Sequence, residues 1–172
     1  MARHKIVIDT GPLIYLSILN RFSLLKELFE EIYIPEAVYQ EIVIQGAGLP
    51  GAEEANAALE EGWIQRAAIQ NRVAVNALLD ELDVGEAEAI VLARELDIGR
   101  VLLDDRAART KAKVMGLSIS GTIGVLLLAR QVGVEVDLKR DLDVLIQSNF
   151  RISQDLYQAF ISGQVKEAED LP

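Results

Sequence analysis

Residues 5–13 read KIVIDTGPL. Three apolar residues, Ile6, Val7 and Ile8, come directly before an acid, a hydroxyl residue and a Gly-Pro pair. An apolar run that meets such breakers predicts a buried strand, which here ends at Asp9. In a parallel α/β sheet the loops after the strands form the binding crevice. We therefore expect Asp9 to lie at a site rather than in the core.

The same pattern recurs at residues 100–105, which read RVLLDD. Its apolar residues lead into Asp104 and Asp105, and a basic helical pattern follows. Two strands are thus predicted to bring acids to one edge of the sheet. A structural interpretation stays open, because Asp is a favoured N-cap and both Asp9 and Asp105 precede a predicted helix.

Strands and helices alternate along the chain, which predicts an α/β fold in three layers, α/β/α, around a central parallel sheet. Further short strands are predicted at residues 32–34, 63–66 and 117–120. Helices are predicted at residues 13–18, 22–29, 35–44, 52–61, 73–82, from 83 onward, 106–116, 121–132, 137–150 and 153–161. We expect one domain over residues 1–163, including the C-terminal helices from about residue 137, and a frayed tail over residues 164–172. A Gly/Pro-rich loop predicts a mobile flap at residues 45–61 that borders the site.

Composition excludes several kinds of site. The 172 residues are 51% hydrophobic, which argues for a folded core, and they include no cysteine and one histidine, His4. Disulfides, thiolate zinc sites and cysteine nucleophiles are therefore excluded. The formal net charge is −10, so a nucleic-acid substrate would need local basic residues and a metal ion to bind. Without a signal-peptide pattern or a long apolar segment, we expect a cytoplasmic protein with no membrane contact.

Two further acids complete the candidate set. Glu41 lies in the helix predicted at residues 35–44, among apolar neighbours. Glu86 follows Asp83 with the spacing of a capping box, so a role as a helix cap stays open beside a functional one. Glu88 lies about 200° around the helix from Glu86, so we expect only one of the two to face the site.

Five motifs together resemble the PIN-domain nucleases: IDTGPLI, PEAVYQEI, LDVGEAEAIVLA, VLLDD and GTIGVLL. The match is closest to the prokaryotic, VapC-like branch, whose members mostly lack an assigned target, and it spans residues 5 to about 157. By this resemblance the catalytic and metal-binding acids are Asp9, Glu41, Glu86 and Asp105, with Asp104 as a further metal ligand. Two positions depart from the family pattern: Glu86 stands where many members have Asp, and Leu103 where Thr is often found.

Substrate binding is assigned to Thr10, which follows the first acid, and to the basic pair Arg106 and Arg109 beside Asp105. The two arginines can neutralise a phosphate backbone. An ordinary solvated helix face, paired with carboxylates, is the alternative for them.

Several carboxylates together suit Mg²⁺ or Mn²⁺, which bind oxygen ligands and substrate phosphates. The resemblance implies a metal-dependent ribonuclease that hydrolyses RNA phosphodiester bonds and leaves a 5′-phosphate. It also implies a toxin-like role, an antitoxin-like protein partner and a homodimer. The alternative is a non-catalytic PIN-like interaction or nucleic-acid-binding domain that acts through a protein partner. An aspartyl-phosphate enzyme is disfavoured, because Asp9-Thr10-Gly11 lacks a second acid and no lysine follows the strand at residues 117–120.

Overall fold

Five short strands form one parallel sheet in the computed structural model, which describes residues 4–165. The strands are β1 (His4–Ile8), β2 (Phe29–Pro35), β3 (Ile64–Ala67), β4 (Arg100–Leu102) and β5 (Ser118–Ser120). Their order is β3-β2-β1-β4-β5, so β1 lies at the centre, between β2 and β4. The predicted frayed tail extends past residue 165, and that part of it lies outside the described residues.

Helices connect successive strands and cover both faces of the sheet. They are α1 (Thr10–Ile18), α2 (Leu24–Leu28), α3 (Glu36–Tyr39), α4 (Ala52–Glu61), α5 (Arg72–Asn76), α6 (Val84–Glu95), α7 (Arg106–Val114), α8 (Thr122–Gln131), α9 (Leu138–Gln147) and α10 (Gln154–Ile161). The predicted three-layer α/β/α fold with a parallel sheet is confirmed. No helix within residues 4–165 has the length and apolar character needed to cross a membrane.

The core has two halves, one on each face of β1. Successive side chains of a strand point to opposite faces, so Ile6 and Ile8 pack with the helices of one layer and Val7 with those of the other. All three side chains are completely buried. A strand that is buried on both faces has a continuous apolar sequence. For this reason the KIVID stretch predicts a strand inside the sheet.

Two predicted helices differ from those observed. The helix predicted at residues 73–82 ends at Asn76, and turns follow. Asn76 and Asp80 are poor helix formers, and the turns still bury Leu78 and Leu82. The helix predicted at residues 35–44 is α-helical only through Tyr39 and continues as a π-helical segment, Gln40–Gln45.

Candidate functional site

Asp9 follows the central strand at the carboxyl edge of the sheet. Its backbone N–H donates to the carbonyl of Leu102 in β4 at 3.1 Å, which fixes Asp9 between two strands. The residue is 7% exposed. It occupies the N-cap position of α1. Within the described residues, which include all of α1, its carboxylate accepts no capping hydrogen bond from that helix. The N-cap interpretation therefore does not account for Asp9.

One cleft of about 870 Å³ opens at this edge and receives side chains from distant parts of the chain. The acids that line it are Asp9, Glu41, Asp83, Glu86, Asp104 and Asp105. Thr10 and Arg106 line it too. All five acids expected from the sequence thus lie around one cleft, together with a sixth, Asp83, that was expected only to cap a helix.

Glu41 is held on two sides. The hydroxyl of Thr10 donates to Glu41 Oε2 at 2.7 Å. On its other side the carboxylate lies directly over Gly85, where an added Cβ would come within 2.7 Å of Glu41 Oε1. Burial raises the pKa of Glu41, and the hydrogen bond from Thr10 lowers it. Glu41 also lies in the π-helical segment, a kind of distortion that occurs often at functional sites.

Glu86 serves two purposes at once. Its carboxylate accepts the N–H of Asp83 at 3.2 Å, which completes a capping box at the start of α6. The same side chain lines the cleft, and burial and then the nearby Asp83 raise its pKa to about 7. The structural and functional interpretations of Glu86 are therefore compatible.

Glu88 is the glutamate that faces away from the cleft. It is 2% exposed, accepts the N–H of Ala37 at 2.8 Å and forms an ion pair with Arg72 at 2.8 Å. Because Ala37 lies in the first turn of α3, this contact ties α6 to the helix that leads to Glu41. Of the two glutamates, Glu86 lines the cleft and Glu88 forms a salt bridge.

Asp104 and Asp105 follow β4 but have different surroundings. Asp105 is exposed and caps α7 by accepting N–H groups at 2.8 and 3.0 Å, so its predicted N-cap role is real. Asp104 is partly buried and accepts both the backbone N–H and the hydroxyl of Thr122, at 2.8 and 2.7 Å. Burial raises the pKa of Asp104, while Thr122 and Arg109 lower it.

Arg106 and Arg109 line different cavities. Arg106 lines the cleft. The guanidinium of Arg109 donates to the carbonyl of Leu103 at 3.0 Å and lines a smaller cavity of about 120 Å³ beside Asp104. Only Arg106 of the two therefore faces the acids from inside the cleft.

The surroundings of Asp9 disfavour the charged form of its carboxyl group. Burial raises the pKa of Asp9 well above its usual range, although a backbone N–H at Thr10 lowers it. The charges of Asp83, Glu86 and Glu41 raise the pKa of Asp9 further. Buried carboxylates that repel each other in this way are stabilised by a bound cation.

The donor set fits a hard divalent cation, because every candidate ligand is a carboxylate oxygen. Within residues 4–165, no three acids or histidines come together as a ready metal centre. A Mg²⁺ ion needs only one or two carboxylates from a protein, because it keeps waters or substrate phosphate oxygens as its other ligands.

One wall of the cleft was not anticipated from the sequence. Residues from the end of α9 to the start of α10 line it, including Asn149, Phe150, Arg151 and Tyr157. The flap expected at residues 45–61 contributes no lining residue, so the expectation that it borders the site is wrong. Instead α4 packs its three buried alanines, Ala52, Ala55 and Ala58, into the fold. No sequence pattern in the two C-terminal amphipathic helices indicated which part of the sheet they cover.

A family model described as a PIN domain matches residues 5–167. A search of curated proteins found no match.

Proposed function

The chain belongs to the PIN-domain family, whose members are generally nucleases, and on this premise we propose that it is a metal-dependent endoribonuclease. The observation that carries the proposal is Asp9, a buried carboxylate at the end of the central strand that does not cap its helix and faces a cleft lined by five other acids. A buried acid with a raised pKa and other acids around it is typical of functional sites.

One or two of the carboxylates of Asp9, Glu41 and Glu86 would hold a Mg²⁺ or Mn²⁺ ion, with Asp104 and Asp105 as the acids on the β4 side. When bound, such an ion supplies an activated water and stabilises the charge that develops on the phosphate.

The chain's own residues hold these ligands and the substrate. Thr10 orients Glu41 through its hydroxyl, and Thr122 orients Asp104 through two hydrogen bonds. A carboxylate whose rotamer is fixed by such contacts loses less freedom when it binds a ligand. Arg106, at the first position of α7, places a positive charge inside the cleft to neutralise an RNA phosphate. The proposed reaction is hydrolysis of an RNA phosphodiester bond that leaves a 5′-phosphate.

The test is cleavage of mixed structured and unstructured RNA, with and without Mn²⁺, by the parent protein and by Asp9→Asn. We expect metal-dependent cleavage by the parent and its loss in Asp9→Asn. Asp97→Asn is the matched control, because Asp97 is exposed beyond the end of α6 and has a positive φ of 53° that Asn also tolerates. Equal cleavage by the parent and Asp9→Asn would contradict the proposal.

A second function has some support, since Asp105 caps α7 and Glu86 completes a capping box. Both acids would then be structural, and the protein would be a non-catalytic interaction or nucleic-acid-binding domain that acts through a protein partner. Thermal melts of the apo protein separate the two functions. For a nuclease, Mn²⁺ should raise the Tm of the parent more than that of Asp9→Asn, whereas equal shifts favour the non-catalytic domain.

A toxin-like role, an antitoxin-like partner, a homodimer and a cytoplasmic location stay predictions drawn from the family resemblance. Sedimentation of the purified chain, alone and with the product of a neighbouring gene, would test the dimer and the partner.

A further inference from the structure

The connection between α9 and α10, residues 148–153, closes one side of the acid cleft. After α9 ends at Gln147, Asn149 adopts a left-handed backbone with φ 67°, and the N–H of Phe150 returns to the carbonyl of Leu145 at 2.9 Å. At the other end Ser153 caps α10 by accepting the N–H of Leu156. Both ends of this short connection are therefore fixed by hydrogen bonds.

Its middle is fixed by packing. The ring of Phe150 meets that of Tyr15 edge to face, with centroids 5.0 Å apart. Phe150 and Ile152 are partly buried and pack against the core on the α1 and α8 side of the sheet. Between these two anchors Arg151 is exposed and lines the cleft. The backbone that carries Arg151 is thus held in place while its guanidinium is accessible.

Arg151 lines the same cleft as the acids. Burial is the main cause that raises the pKa of Tyr15. The charge of Asp104 raises this pKa further, and the charge of Arg151 lowers it, so Tyr15 lies within electrostatic range of both. Of the cleft-lining residues, all of which belong to the described chain, only Arg106 and Arg151 are basic. Within residues 4–165 neither guanidinium forms an ion pair with an acid. Six acids and two accessible arginines in one cleft fit a ligand that brings both a metal ion and several phosphates.

We propose that Arg151, in the α9–α10 connection, binds one phosphate of the RNA strand and that Arg106, at the start of α7, binds another, so that the strand crosses the acid cleft between the two arginines. The inference rests on the proposed ribonuclease function and adds to it a substrate-binding residue. A guanidinium suits this task because its planar array of N–H groups binds two phosphate oxygens at once. The adjacent rings of Phe150 and Tyr157, which also line the cleft, offer faces for a base of the same strand.

The experiment measures binding of a fluorescein-labelled single-stranded RNA by anisotropy, in an Asp9→Asn background that prevents cleavage. The variants are Arg151→Gln, Arg151→Lys and, as the matched control, Arg130→Gln in the last turn of α8, where the arginine is exposed and outside the cleft. We expect Arg151→Gln to bind about tenfold more weakly and Arg151→Lys to lose less, while Arg130→Gln binds like the background protein.

Salt dependence separates a phosphate contact from a general structural effect. Losing one phosphate contact on a single strand should reduce the slope of log affinity against log salt by about 0.7. In the cleavage-competent protein, Arg151→Gln should raise KM more than it lowers kcat, because the contact exists before and during the reaction. If the background protein binds RNA but Arg151→Gln matches Arg130→Gln in affinity and slope, this inference is wrong and the nuclease proposal stands. If the parent neither binds nor cleaves RNA, both are wrong.

Discussion

Gly85 matters at the scale of a single residue because the carboxylate of Glu41 occupies the space where its side chain would be. An added Cβ would lie 2.7 Å from Glu41 Oε1 and 3.1 Å from Oε2. The atoms it meets are the end of a flexible side chain, so Glu41 can move away while the backbone stays in place. Gly85 thus controls the position of an acid on another helix.

Gly85→Ala should therefore separate stability from activity. Replacing a helical glycine by alanine stabilises a helix by up to about 1 kcal/mol, which offsets the cost of moving Glu41. We expect an unchanged or higher Tm together with a loss of Mn²⁺-dependent RNA cleavage. Gly99→Ala is the control, because a Cβ at Gly99 would meet no atom within 4 Å. Full activity in Gly85→Ala would mean that the position of Glu41 is unimportant.

We expect Glu86→Gln to change the stability of the apo protein, measured in EDTA, by an amount that depends on pH. The pKa of Glu86 is raised from 4.5 to about 7, so the folded protein binds this proton more tightly than the unfolded chain. The cost of the charge appears as pH rises above about 4.5 and is complete above about pH 7. Gln carries no charge and keeps the capping contact. At pH 8 we expect Glu86→Gln to unfold with a free energy higher by on the order of 1 kcal/mol, after allowance for solvent screening.

That difference should shrink to nearly zero below about pH 3.5, where parent Glu86 is protonated in both states. Denaturant unfolding at several pH values measures it. A difference that stays constant across the range would show that the substitution acts through packing rather than through charge.

Whether the position of a site residue could be predicted from the sequence depends on the element that carries it. Asp9 was predictable because an acid after a buried parallel strand must lie at the carboxyl edge of the sheet. Asp105 was predictable as a cap from the helix that follows it, and its place beside the cleft follows from the same strand rule. Arg151 was not predictable, because it lies in a short connection whose position depends on the packing of α9 and α10.

Between elements, the side chain of Glu88 joins α6 to α3 near the site. The buried carboxylate of Glu88 accepts the N–H of Ala37, and Arg72 pairs with its other oxygen. An N–H that loses its acceptor costs about 1–3 kcal/mol, and a buried carboxylate that loses its cation is also costly. Both contacts of Glu88 should therefore contribute to stability.

Glu88→Ala should lower the free energy of unfolding by about 2 kcal/mol, because it leaves the N–H of Ala37 without an acceptor. Glu88→Gln, which keeps an oxygen there, should cost clearly less, and Arg72→Ala, which leaves the buried carboxylate without its cation, should lower the free energy of unfolding by about 1–3 kcal/mol. Chemical denaturation of the three variants measures the order. Equal losses in Glu88→Gln and Glu88→Ala would instead assign the stability to the charge.

Helices whose ends carry strong breakers were predicted well. The α4 helix was expected at residues 52–61, and it lies between Gly51 and Gly62, both with positive φ. The π-helical segment was not predictable, because its apolar pattern is the same as that of an α-helix over so few residues. The packing side of α9 was not predictable either, since it depends on the buried pair of Arg21 and Asp141, whose Nε and Oδ2 atoms are 2.7 Å apart.

For the molecule as a whole, the net charge of −10 should make the apo protein more stable in moderate salt. Seven ion pairs link side chains of the described residues, and most involve a partner well exposed to water. Such pairs contribute little, so screening should relieve more repulsion than it removes attraction.

We expect the Tm in EDTA to rise by roughly 2–4 °C between low and moderate NaCl, which corresponds to about 1 kcal/mol for a chain of this size. Differential scanning calorimetry over this range, where the Debye length shortens to about 8 Å, measures the effect. A falling Tm would show that the ion pairs outweigh the repulsion. Glu86→Gln, which removes one of the repelling acids, should show a smaller rise.

The order of the strands also has a consequence for the protein while it is being made. The central strand β1 leaves the ribosome first, but its partner β4 begins only at Arg100, and the last wall of the cleft reaches Tyr157. At ribosomal speed, roughly ten to thirty seconds separate the synthesis of Asp9 from that of Tyr157. Throughout that interval the cleft lacks its last wall, so under the proposed ribonuclease function a nascent chain should leave intact the message from which it is being translated.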